Sequence, residues 1–143
     1  MRVLRFLCCI FMTVISSACS ATDESVSAQA FWLKFRGEVI AGDKSKIAEM
    51  TNFPLHIHGV TDDIPVKECD RHCFDNMYDR LINQKIYFLG GEGVVQKTML
   101  SVIAEQKTSG YDASVEKKGF RVHQFEFHQV SGKWLLTDAY LEE

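Results

Sequence analysis

The sequence predicts a single α+β domain in which N-terminal helices pack on a curved, mostly antiparallel sheet. Three observations carry this. Apolar residues recur at helical spacing in the first half of the chain. Near the C-terminus they alternate at strand spacing about a tight glycine turn. No repeat, low-complexity tract or composition shift divides the interior. A sheet that is apolar on one face needs a helical layer to bury it, and the first half supplies one.

The chain opens MRVLRFLCCIFMTVISSACSA, where Arg2 and Arg5 precede an apolar run over residues 6–15. Such a run is too short for a bilayer core of about 30 Å, which takes about 20 helical residues. It has the proportions of a signal peptide, residues 1–18, with cleavage between 18 and 21. Cleavage by signal peptidase would release a soluble protein. Alternatively, SSAC resembles a lipobox and Cys19 becomes a lipidated N-terminus, although Ser16 stands where such boxes carry Leu. Both routes lead to an oxidising compartment. Cys8 and Cys9 leave with the leader and Cys19 is removed or modified, so Cys69 and Cys73 remain as an even pair.

All acidic residues follow the leader, which takes Arg2 and Arg5 with it, so the mature chain is more acidic than the whole chain's net −3. An acidic surface without a basic run excludes nucleic acid as a partner and excludes electrostatic docking on anionic lipid. The only membrane contact implied is a lipid anchor at Cys19.

Residues 19–26 read as a linker, and 27–143 as the domain. In 27–41, Ala28, Phe31, Trp32, Phe35 and Val39 form one helical stripe that stops at Gly42. Asp43 is an N-cap for a short second helix reaching Met50. NFPLHIHGV then alternates, with Phe53, Leu55 and Ile57 on one face and His56 and His58 on the other. Pro54 places this strand at a start or an edge. Phe74, Met77, Tyr78, Leu81 and Ile82 share a face of a third helix over 73–82. GGEG, residues 90–93, is a loop rather than a P-loop, since no Lys-Ser/Thr follows and Glu92 repels phosphate. VVQKTMLSVIAEQ reads as helical first and as strand towards Ala104. GFRVHQFEFHQVSGKWLLTDAYLEE reads as two strands joined at Ser131 and Gly132 with Val130 opposite Lys133. Phe125, Phe127, Trp134, Leu136 and Tyr140 then share one face with Asp138, while Glu126, His128 and Thr137 take the other.

AFWLKFRGEVIAGDKSKIAEMTNFPL, followed much later by FHQVSGKWLLTDAY, resembles the opening and closing hairpin of small exported bacterial members of the nuclear-transport-factor-2-like (cystatin-like, cone-fold) superfamily. The resemblance implies a cone closed between helices and sheet. It does not imply one activity, because the superfamily spans isomerases, dehydratases, cyclases and non-catalytic binding domains. Members resembling ketosteroid isomerases hold an Asp base and a Tyr or acidic donor inside the cone. Here Asp138 and Tyr140 are the candidates for such an inward pair, with Tyr78 able to join from the third helix, although no enzyme motif is matched.

ECDRHC supports three readings. With His56 and His58, Cys69 and Cys73 could complete a zinc site, but the spacing lacks the usual zinc-finger pattern. A redox pair would normally be C-x-x-C. A disulfide suits the spacing best. Residues i and i+4 of an ideal helix lie about 6.2 Å apart at Cα, within disulfide reach near its upper end, so the bridge belongs where a helix begins. Asp70 suits such a start. His56 and His58 otherwise form the polar face of a half-buried strand, and no cofactor is implied.

These readings converge on an exported bacterial protein, periplasmic or anchored to the outer membrane. It would act as a non-enzymatic binding or interaction domain for a small ligand or a protein partner, such as an inhibitor or immunity target. The alternative is an isomerase- or dehydratase-like enzyme with acid–base residues inside the cone. An interior plugged by Phe125, Phe127 and Trp134 removes that alternative.

Overall fold

The computed structural model describes residues 20–142 apart from Val60, Glu92 and 112–118, with backbone alone for 20–26. Residues 1–19, with the expected leader and Cys19, lie outside the described residues.

Helix α1 (Ser20–Ala41) buries Ala28, Trp32, Phe35 and Val39 along one stripe. The helix already includes residues 20–26, in place of the expected linker. SATDESV holds no Pro or Gly to break it. Helix α2 (Lys44–Glu49) is capped by Asp43, whose side chain accepts from the Lys46 N–H at 3.1 Å.

Strand β1 (Thr51–His58) pairs antiparallel with β2 (Lys67–Cys69). Helix α3 (Arg71–Asn83) follows and buries the five apolar residues expected of it. Strands β3 (Lys85–Gly90) and β4 (Gly93–Thr98) form a separate two-stranded ribbon. Helix α4 (Met99–Glu105) precedes β5 (Gly119–Val122), β6 (Phe125–Val130) and β7 (Lys133–Tyr140). The main sheet runs β2-β1-β7-β6-β5, with β1 and β7 parallel and the other neighbours antiparallel. Among the described residues the architecture is therefore α+β, with four helices, a mixed five-stranded sheet and a small ribbon. Among the described residues, no helix is long and apolar enough to cross a membrane.

Four local expectations are corrected. Residues 93–105 run strand then helix, the reverse of the expected order. Val94 and Val95 favour an extended backbone, and the Thr98 hydroxyl then accepts from the Ser101 N–H at 3.2 Å to start α4. The long strand expected before Ser131 is two strands, broken at His123, which takes a positive φ of 49°. Strand β1 is interior to the sheet, not an edge. Pro54 is tolerated because the β2 ladder starts at Leu55 and the β7 register shifts between Thr51 and His56. The closing hairpin has the expected register, Val130 opposite Lys133, with positive φ at Ser131 and Gly132. Past that point the facing changes: β7 carries a bulge between the pairs Phe127–Leu136 and Glu126–Asp138. Thr137 is the extra residue and is buried. Asp138 and Tyr140 are thereby turned away from the face of Phe125 and Trp134.

The space between helices and sheet is filled by aromatic rings. Phe35 and Phe127 approach to 5.0 Å between centroids, Phe120 stacks on Phe127 at 4.7 Å, and Trp32 meets Phe127 edge-on at 5.8 Å. Arg36 ties α1 to α4 by donating to the Ile103 and Ala104 carbonyls, and the Trp32 indole donates to the Gln106 carbonyl at 3.0 Å.

Cys69, the last residue of β2, is bonded to Cys73 in the first turn of α3, with the Cα atoms 5.2 Å apart. One partner lies outside the helix, which brings the pair closer than the ideal helical spacing. The carboxylate of Asp70, between them, caps α3 by accepting from the Cys73 N–H at 2.8 Å. Closing so small a loop is worth roughly 2 kcal/mol at most in the chain-entropy model. Reduction, or Cys69→Ser with Cys73→Ser, should lower Tm by up to roughly 8 °C while leaving the protein folded at room temperature. Thermal melts with and without reductant check this, and unfolding on reduction alone would contradict it.

Candidate functional site

The face of the main sheet turned away from the helices carries a row of ionisable side chains in register. Arg121 of β5 lies opposite Glu126 of β6, Glu126 opposite Asp138 of β7, Asp138 beside His56 of β1, and His56 opposite Glu68 of β2. Two carboxylates directly opposite one another repel. Each therefore turns to its own partner. The Asp138 carboxylate meets His58 Nε2 at 2.8 Å, with His56 Nδ1 at 3.5 Å. The Glu126 carboxylate meets His128 Nε2 at 2.9 Å and accepts from the Tyr140 hydroxyl at 3.0 Å.

Tyr140 links the two halves. The parallel register of β1 and β7 puts it beside His58, and the rings stack at 4.6 Å. The Arg121 guanidinium covers the Tyr140 ring at 3.8 Å and is itself held by the His123 carbonyl at 2.6 Å. Gly119 makes room for His128, since a Cβ there would strike the imidazole.

The electrostatics follow from these contacts. Partial burial pushes the Asp138 carboxyl up, but hydrogen bonds from His58 and Thr137 and the nearby imidazoles outweigh it and hold it below the ordinary carboxylate range. Burial, then the hydrogen bond to Glu126, push the Tyr140 phenol above its ordinary value, so it is a neutral donor at physiological pH. The arrangement presents neutral and charged hydrogen-bonding groups on an open surface.

Of the residues singled out in the sequence, Asp138, Tyr140, His56 and His58 come together here, on the outer face. Tyr78 does not join them. It is buried on α3 beneath Lys44, and desolvation, with the charge of Asp79, pushes its phenol up to about 12. Nor do His56 and His58 share a centre with Cys69 and Cys73, whose sulfurs are bonded to each other. Among the described residues, no group of His, Cys, Asp and Glu is arranged to hold a metal ion. Glu126 and Arg121 are members that the sequence reading did not single out. Glu126 had a signal, being fixed by the hairpin register on the polar face. Arg121 had none, because the break at His123 that swings β5 alongside β6 was not visible.

Asp138 gives a pH-dependent prediction. Its folded pKa is lowered, so its contribution to stability is present above the unfolded value near 4 and is lost as pH falls through the folded value. Asp138→Asn should cost about 1 kcal/mol at pH 7. The cost should shrink as pH falls below the unfolded value near 4 and disappear once the folded carboxyl is protonated as well. Urea midpoints followed downward from pH 7 check the trend.

No protein-family model, curated protein or solved structure matches this chain, so its function is read from the geometry of these faces.

Proposed function

We propose that this protein is an exported bacterial envelope protein that acts as a non-enzymatic domain for protein–protein contact, using the β3–β4 ribbon. One observation carries the reading. The register of the ribbon puts Tyr87, Leu89 and Val94 on a common face, with Leu89 paired to Val94, and they are 57%, 94% and 65% exposed. An outward apolar face of this kind marks an interaction surface. Two-stranded ribbons are marginal alone, and this one is anchored by its opposite face, through buried Ile86 and through Phe88 against His123. Among the described residues no further strand pairs with either outer edge of the ribbon, which leaves edge backbone for a partner strand.

Export rests on the leader-like residues 1–18 and on the oxidised cysteine pair. The helix–helix–strand opening and the closing hairpin support kinship with the cone-fold superfamily. The filled interior supports binding over isomerase chemistry: the cavity that an acid–base pair would line holds Phe35, Phe120 and Phe127, and Asp138 and Tyr140 lie outside it.

A photo-reactive residue placed at Leu89 should cross-link a partner of defined size in the producing cell. Val94→Glu should abolish that adduct, and the same residue at exposed Lys34 of α1 should give none. Equal labelling at both positions, or none at Leu89, would refute contact through the ribbon.

A further inference from the structure

The outward face of the ribbon carries a single charge. Lys85, Tyr87 and Leu89 alternate along β3 and point to one side, where β4 sets Thr98, Gln96 and Val94 opposite them. All six are exposed. Lys85 is the one charged residue in this group. Among the described residues, no ion pair or hydrogen bond engages its ammonium. Lys97 differs: it lies on the other face of β4, is paired with Glu105, and stands 6.0 Å from the centre of the Phe88 ring. The exposed face thus ends, at the base of β3, in a cation that the domain leaves unmatched.

The edge beside that cation is open. Among the described residues, no strand pairs with the outer edge of β3, and no backbone hydrogen bond joins residues 85–90 to the rest of the domain. Alternate N–H and C=O groups of β3 therefore remain for a ladder. A strand added antiparallel to this edge sets its own alternate side chains directly opposite Leu89, Tyr87 and Lys85. The edge of β4 offers Val94, Gln96 and Thr98 instead, with no charge to read. A second copy of β3 does not complete the row. KIYFLG holds no acidic residue, so two such edges paired together leave both lysines without a carboxylate.

We propose that the partner of the ribbon is an extended protein segment carrying two apolar residues and then an acidic one at alternate positions, added antiparallel to the edge of β3. Read from the N-terminus of that segment, the apolar side chains lie opposite Leu89 and Tyr87, and the Asp or Glu lies opposite Lys85. The intervening side chains point to the side where Ile86 and Phe88 pack on the domain, so they are small. The backbone ladder supplies affinity, while the charge pair fixes direction and register. A slip of two residues would set the carboxylate against Tyr87 and leave Lys85 unmatched. The proposal rests on contact through the ribbon and adds the chemistry of what is recognised.

The test is an amide chemical-shift titration of the full mature chain with the peptide acetyl-Thr-Val-Thr-Val-Thr-Glu-Thr-amide, beside the same peptide with Lys in place of Glu. The Glu peptide should give saturable shifts and slowed amide exchange within residues 85–90. It should bind about fivefold tighter than the Lys peptide. Lys85→Gln should remove that preference and Lys85→Glu should reverse it, the ribbon's own amide shifts reporting that β3 and β4 remain paired. Equal binding of the two peptides, non-saturating shifts, shifts centred away from β3, or an unchanged preference in Lys85→Glu would overturn the proposal. A cross-link formed at Leu89 in the cell would survive each of those outcomes. Loss of that cross-link would refute contact through the ribbon and this proposal with it.

Discussion

The contact between α1 and the inner face of β5 and β6 is the interaction on which the rest of the molecule depends. Trp32 and Phe35, one turn apart on the helix, meet Phe120, Phe125 and Phe127 on the sheet, mainly edge to face. Rings of this size, packed at centroid distances of 5.0–6.4 Å, fill the space where these elements meet. Burial of these rings is a main source of the domain's stability. Polar chemistry is thereby displaced to the outer face of the sheet.

The bulge in β7 decides which side chains take part in that displacement. Up to Leu136, the even-numbered residues face the aromatic layer. Thr137 then occupies an extra position, so Ala139 becomes the inward residue and Asp138 and Tyr140 turn outward. Without the shift, Asp138 would be buried against Phe125 with no basic partner, at a substantial desolvation cost. With it, Asp138 reaches His58, and Tyr140 stacks on His58 while donating to Glu126. A single inserted residue thus sets Asp138 opposite Glu126 on the outer face, where each carboxylate finds its own histidine and Tyr140 lies between the two.

Long-range pairing explains what local pattern did not reveal. The alternation in NFPLHIHGV correctly separates His56 and His58 from Leu55 and Ile57, but nothing local says that β1 runs parallel to β7. That pairing gives the histidines their acid and their tyrosine. In VVQKTMLSVIAEQ the apolar residues suit either period. The choice falls to the antiparallel match of Val94 and Val95 with Leu89 and Phe88, and to the Thr98 cap. The break at His123 is decided in the same way, by β5 turning back to place Phe120 on Phe127.

What the sequence by itself determined was local: the stripe of α1, the caps at Asp43 and Asp70, the disulfide of Cys69 and Cys73, and the register of the hairpin at Gly132. Each depends on residues within a few positions of one another, where backbone geometry leaves few alternatives. The tertiary structure alone decided the interior position of β1 and the bulge that turns Asp138 and Tyr140 outward. These arise where strands and helices distant in the chain compete for one core. The outcome there depends on shape and pairing across the whole domain, which periodicity does not encode.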